Sequence, residues 1–130
     1  MRQTSGLTTC LSAKAEDGVG NNILVEDYKT IVVELWFAAA TLTVKCQGSA
    51  SDDSPDFSSA QAAANHWDYI DMIDLEDNTS IDGDTGVASA GAASDARLFE
   101  VNVNGLKWLN FIVSSCEAGS VTVKVRGFYE

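Results

Sequence analysis

The lone histidine, His66, stands in Asn65-His66-Trp67-Asp68, beside an aromatic ring and close to a carboxylate. A serine- or cysteine-type hydrolase needs that imidazole against a nucleophile on a sharp turn, and no nucleophile-elbow motif occurs. A base without a positioned partner does little chemistry, so His66 is expected to be structural. One His with Cys10, Cys46 and Cys116 scattered along the chain does not supply a zinc ligand set either. An odd number of thiols leaves at least one unpaired in a monomer. Each lies in a segment read as strand or strand end, where a free Cys is usually a small buried hydrophobe and a disulfide is the lesser alternative.

Oxygen ligands are more plentiful. Asp74-Leu75-Glu76-Asp77-Asn78 and Asp82-Gly83-Asp84-Thr85-Gly86 bring many of them close in sequence. Counted from Asp74, however, the sixth position of an EF-hand loop is Thr79 rather than Gly, and the twelfth is Thr85 rather than Glu. A solvated acidic loop is the expectation. Paired carboxylates for glycoside hydrolysis could be drawn from the same stretch, but only their spacing in space would define them. Trp36, Trp67, Tyr69 and Trp108 could form a sugar-stacking platform. The favoured alternative places them in the core or at a subunit interface, where Trp and Tyr are enriched. Asn78-Thr79-Ser80 fits a glycosylation acceptor, which matters only in a secreted eukaryotic chain.

These residues belong to 130 residues that fit one domain, 1–130, with 1–9 as a candidate extended arm. The net charge of −11 disfavours nucleic acid, whose phosphates need basic side chains, and anionic membrane surfaces. Residues 52–84 hold ten Asp or Glu and no Lys or Arg, so one face or end is expected to be strongly negative. No apolar run reaches the ~18–20 residues that span a bilayer. Met1-Arg2-Gln3-Thr4-Ser5-Gly6 leads into no hydrophobic signal segment, so export by that route is not expected.

The elements that must position these groups repeat with period two. Ile31, Val33, Leu35 and Phe37 alternate with a mixed set, and Leu42, Val44 and Cys46 alternate with Thr43, Lys45 and Gln47. The short Ala38-Ala39-Ala40 link predicts a hairpin between them. Phe99, Val101 and Val103, then Asn104-Gly105, then Leu109, Phe111 and Val113 predict a type I′ hairpin, since both central residues need positive φ. Val121, Val123 and Val125 follow a turn at Glu117-Ala118-Gly119-Ser120. Leu7–Ala13, Asn22–Glu26 and Trp67–Leu75 are weaker strand candidates. Ser54-Pro55-Asp56-Phe57 running into Ala60-Gln61-Ala62-Ala63-Ala64 predicts one short helical turn. Residues 83–96, rich in Gly, Ala and Ser, read as an exposed loop. The expected fold is all-β: an antiparallel β-sandwich, jelly-roll or Greek-key like.

Several phrases occur in order over residues 23–128. They are Val25-Glu26-Asp27-Tyr28-Lys29-Thr30, Lys45-Cys46-Gln47-Gly48-Ser49, Pro55-Asp56-Phe57, Asn65-His66-Trp67-Asp68-Tyr69-Ile70 and Gly83-Asp84-Thr85-Gly86, followed by 99–109 and Gly119-Ser120-Val121-Thr122-Val123. The series resembles small structural proteins of tailed-bacteriophage virions, of the capsid-decoration or head-associated kind. That resemblance implies a β-sandwich seated as an oligomer on a protein lattice, and it brings no active-site residues.

The leading expectation is therefore a non-enzymatic capsid decoration or cement protein, made in the host cytoplasm and located in the virion. A tail-, neck- or fibre-associated protein and a carbohydrate- or receptor-binding module are the alternatives. The expected partners are the major capsid protein or another virion protein, and further copies of the chain. No cofactor, metal, nucleic acid or membrane is expected. Candidate interface residues are Arg2, Leu7, Trp36, Trp67, Tyr69, Trp108, Phe128 and Tyr129, with 1–9 and 127–130 as contact arms, because exposed aromatics and untied ends often mark interfaces.

Overall fold

Two long strands carry the fold in the computed structural model, which describes residues 3–129. β4 spans Thr30–Ser49 and β9 spans Trp108–Phe128, antiparallel to each other along their length. The far side of β4 takes β8 (Val87–Asn102) and, past its end, β5 (Asp68–Tyr69). The far side of β9 takes β1 (Thr8–Lys14), β2 (Gly18–Val19) and β3 (Ile23–Leu24) in turn. β6 (Met72–Asp74) joins β8 and pairs with β7 (Thr79–Ile81). The result is one antiparallel sheet ordered β1-β9-β4-β8-β6-β7, all-β as expected.

The alternating apolar residues do what their period requires. Ile31, Val33, Leu35, Leu42, Val44, Leu109, Phe111, Val113, Val121, Val123 and Val125 are all buried, together with the large side chains of Phe37 and Phe99. β4 buries odd positions up to Phe37 and even ones from Ala40 to Cys46. The change of parity happens at Ala39, which has φ 46°. Ala38–Ala40 is therefore a kink inside one strand and not the predicted hairpin.

Ala39 does not kink alone. Ala13 in β1, Gly91 and Ala92 in β8, and Ser115 and Gly119 in β9 also have positive φ. The register shifts of β4 with both neighbours fall between Phe37 and Thr43, so a line of bulges crosses the sheet there. Side chains take up backbone donors along this line. Ser94 Oγ accepts from Ala39 N–H, Thr41 Oγ1 from Ala92 N–H and Thr122 Oγ1 from Ala13 N–H, at 2.9–3.0 Å. Bulges bend and twist a sheet, and the inward faces on both sides of the line share one hydrophobic cluster.

Four further expectations change. The small-residue stretch read as loop contributes most of its length to β8, because it pairs with β4 regardless of side-chain size. Glu117–Ser120 lies inside β9 as part of the bend, not between strands. Asn104-Gly105 does form a turn, with Leu106 N–H donating to Val103 O at 2.9 Å and Gly105 at φ 92°. It is no hairpin, since β8 and β9 lie on opposite sides of β4. The predicted helical turn is absent as well. Asp56 instead accepts from the backbone and hydroxyl of Ser58 and the hydroxyl of Ser59, and Asn65 Nδ2 donates to Asp56 O and Ala60 O. These bonds stabilise a loop over a helix of one or two turns, which is marginal in any case.

Candidate functional site

The acidic segment uses its carboxylates on its own backbone. Asp71 Oδ1 accepts from Gly83 N–H at 2.7 Å, Asp77 Oδ1 from the Thr79 hydroxyl at 2.7 Å, and Asp82 Oδ1 from Asp84 N–H at 3.1 Å. The Thr79 and Ser58 hydrogen bonds hold Asp77 and Asp56 below the usual aspartate value. Asp74 is buried and forms an ion pair with Arg97. Among the described residues, no three His, Cys, Asp or Glu side chains converge as a metal cage.

The thiols are placed for packing. Cys10 and Cys46 are buried, Cys116 is half-buried, and all three are free. Burial pushes the Cys10 thiol up to about 12 and the Cys46 thiol well above the ordinary value, so both stay neutral and poorly nucleophilic. His66 is exposed; Ser49 Oγ donates to its backbone carbonyl at 2.6 Å, so that contact does not involve the imidazole.

The aromatic candidates separate. Trp67 is buried between Phe57 and Tyr69, with ring centroids at 6.2 and 5.1 Å, and its indole N–H donates to Ser59 O. At 7% exposure it offers a partner little surface, unlike the exposed aromatic that the interface expectation assumed. Tyr69 is half-buried, with the Lys45 ammonium 5.1 Å from its ring centroid. Trp108 is half-buried opposite Ser49, beyond the bend from Trp36. The four rings therefore do not make a single exposed sugar platform.

The arms lie along their own sheet. Thr4 bridges Phe128, Ser5 N–H donates to Gly127 O at 3.0 Å, and Tyr129 N–H donates to Gln3 O at 3.2 Å. Leu7 and Tyr129 are exposed, at 45% each, and Phe128 is half-buried. The Tyr129 ring sits 5.0 Å from that of Tyr28, whose hydrogen bond raises the Tyr129 phenol above its ordinary value. Arg2 lies outside the described residues.

One outward sheet face stands apart from these. The residues that alternate away from the core on the first half of β4 are Val32, Glu34 and Trp36. Beside them stand Glu100, Leu98 and Ala96 on β8, and Arg126, Lys124 and Thr122 on β9, in matched rungs. Trp36 and Leu98 are each 48% exposed, a large share for side chains of that size, and Leu75 at 43% borders them. Leu75 N–H donates to Leu98 O, and a shallow cleft opens between Asp74–Glu76 and Ala96–Leu98. The face holds two acids and two bases, so the formal charge of −11 resides elsewhere on the chain.

Sequence reasoning singled out Trp36 but not Leu98, whose apolar character is plain yet whose parity places it outward. It also missed Asn110. That buried amide accepts from Gly20 N–H and donates to Gly20 O, both at 3.0 Å, fastening the β2–β3 link to β9. Its position between two inward residues had marked it as outward.

The chain matches no family profile and no curated protein sequence. Its fold is shared with two solved structures. The SPBc2 prophage-derived protein YomS superposes with a TM-score of 0.69 at 15% identity, over 98% of this chain and 95% of that one. The PBSX exported protein XepA superposes with a TM-score of 0.71 at 15% identity, over 98% of this chain. The chain spans 38% of the XepA length. At this identity the likeness shows the fold alone.

Proposed function

We propose that this chain is a non-enzymatic structural protein of phage origin, assembled as a homo-oligomer on a virion, with capsid decoration as the leading role. The carrying observation is the near-full-length fold shared with the prophage-derived YomS, 95% of whose chain corresponds to this one. Surface chemistry supports the reading. Carboxylates hold turns, two thiols are neutral and buried, and Trp36 and Leu98 stand exposed on one outward sheet face. The bent sheet serves as the two layers of the expected sandwich, with the bend line as the shared corner. The partner is the major capsid protein or another component of the same particle, including a tail or neck part.

A second reading has its own support, because the PBSX neighbour XepA is an exported protein. In that case the chain is a phage product released from the cell rather than a particle component. Quantitative mass spectrometry of purified particles and of cleared medium separates the two. Tens to hundreds of copies per particle are the result expected for decoration, and a few copies indicate tail or neck. Recovery from the medium, with none in particles, would replace the virion reading by the exported one.

A further inference from the structure

We infer that the outer face of β4, β8 and β9 is a self-association surface, on which a second copy of this chain docks sheet against sheet. This rests on the homo-oligomer part of the reading above and names the surface that would carry it. Two chains of −11 repel, so they meet at least cost where neither presents net charge. The Trp36 face is such a place.

Its charges are also ordered. The bases Lys124 and Arg126 lie on β9, and the acids Glu34 and Glu100 lie on β4 and β8. Glu34 and Lys124 share a rung, as do Trp36 and Thr122. A two-fold axis running along the strands between β4 and β9 therefore sets Lys124 against Glu34 of the partner subunit, and does so twice. The same axis brings Trp36 beside Trp36 of the partner subunit and covers the rings that water now touches. A basic partner would instead be drawn to the acidic segment 52–84, and a nucleic acid would find no basic stripe without adjacent acids. Three rungs on three strands cover roughly 20 Å by 15 Å. That is small for a specific contact, so the dimer is expected to dissociate at concentrations on the order of 10–100 μM.

Sedimentation velocity from 1 μM to 1 mM tests this on the full chain, with thermal melting to confirm folding of each variant. The wild type is expected to pass from monomer to dimer, and Trp36→Ser to remain monomeric. Glu34→Lys and Lys124→Glu should each weaken the dimer at least about tenfold, and the double reversal should restore it. A wild type monomeric at 1 mM overturns the inference; if particles still carry the chain, the virion reading stands without it. An oligomer indifferent to all four variants also overturns it, and leaves the oligomer reading to another surface.

Discussion

The bend line and the acidic segment both depart from regular strand, and they are held in different ways. At the bend the backbone itself is unusual, with positive φ in four neighbouring strands and small side chains throughout. Hydroxyls of Ser94, Thr41 and Thr122 supply the acceptors that bulging takes away. In the acidic segment Asp77 and Asp82 close short turns at the surface, and Asp71 ties the segment's two ends together through Gly83 N–H. The bend depends on room between backbones, which nothing can replace. The acidic turns depend on separate bonds that water can partly substitute.

Gly119→Ala should break the first region most severely. The added Cβ would lie 2.2 Å from Ala39 O and 2.3 Å from Ala38 O, at φ 69°, and backbone cannot yield as a side chain can. A loss of at least about 3 kcal/mol in urea unfolding is expected, or no folded protein. Asp74→Ala comes next and tests the one buried member of the acidic set. It leaves Arg97 half-enclosed without its carboxylate, at a cost of about 2–4 kcal/mol, which Asp74→Leu with Arg97→Leu should partly recover.

Gly105→Val sharpens the contrast between backbone room and backbone angle. Gly105 has φ 92° but open space around it, so only the angle is penalised, by about 1–2 kcal/mol. A loss equal to that of Gly119→Ala would mean that the angle, and not the close approach, governs the bend. Asp56→Ala should be the smallest. Folding lowers the Asp56 pKa from 3.8, so its contribution is complete above that value and fades as acid protonates the folded carboxylate. Wild type and variant should therefore differ at pH 6 and converge well below 3.8 in thermal melting.

The core was legible because burial on one face imposes period two, and Ile31, Val33, Leu35, Leu42, Val44, Leu109, Phe111, Val113, Val121, Val123 and Val125 obeyed it. The connections were not. An inversion of parity at Ala38–Ala40 reads the same whether the chain reverses or kinks, and alanine carries no mark of positive φ. Ala88 to Ala96 gave no alternation to read, since a strand edge of small exposed residues needs none. Asn104-Gly105 specified a turn but not which neighbours the flanking strands would choose. Of the aromatic candidates, Trp36 and Tyr129 are exposed, whereas Trp67 went to a local pocket with Phe57 and Tyr69. Such a pocket depends on the 50–67 loop folding back, which no local pattern encodes.

β9 has a consequence for the order of folding. β1, β2, β3 and the whole of β4 pair with it, and it follows all of them in the chain. As the polypeptide emerges, β1, β2 and β3 stay unpaired and β4 has only β8 and β5 beside it until residues 108–128 arrive. Almost every ladder then closes at long sequence separation, as between Thr8 and Val125. Folding is thus a late and collective event, in the range of milliseconds to seconds that such topologies show. A chain interrupted before β9 would expose paired-strand edges and apolar faces together, the combination that makes a nascent β protein aggregate.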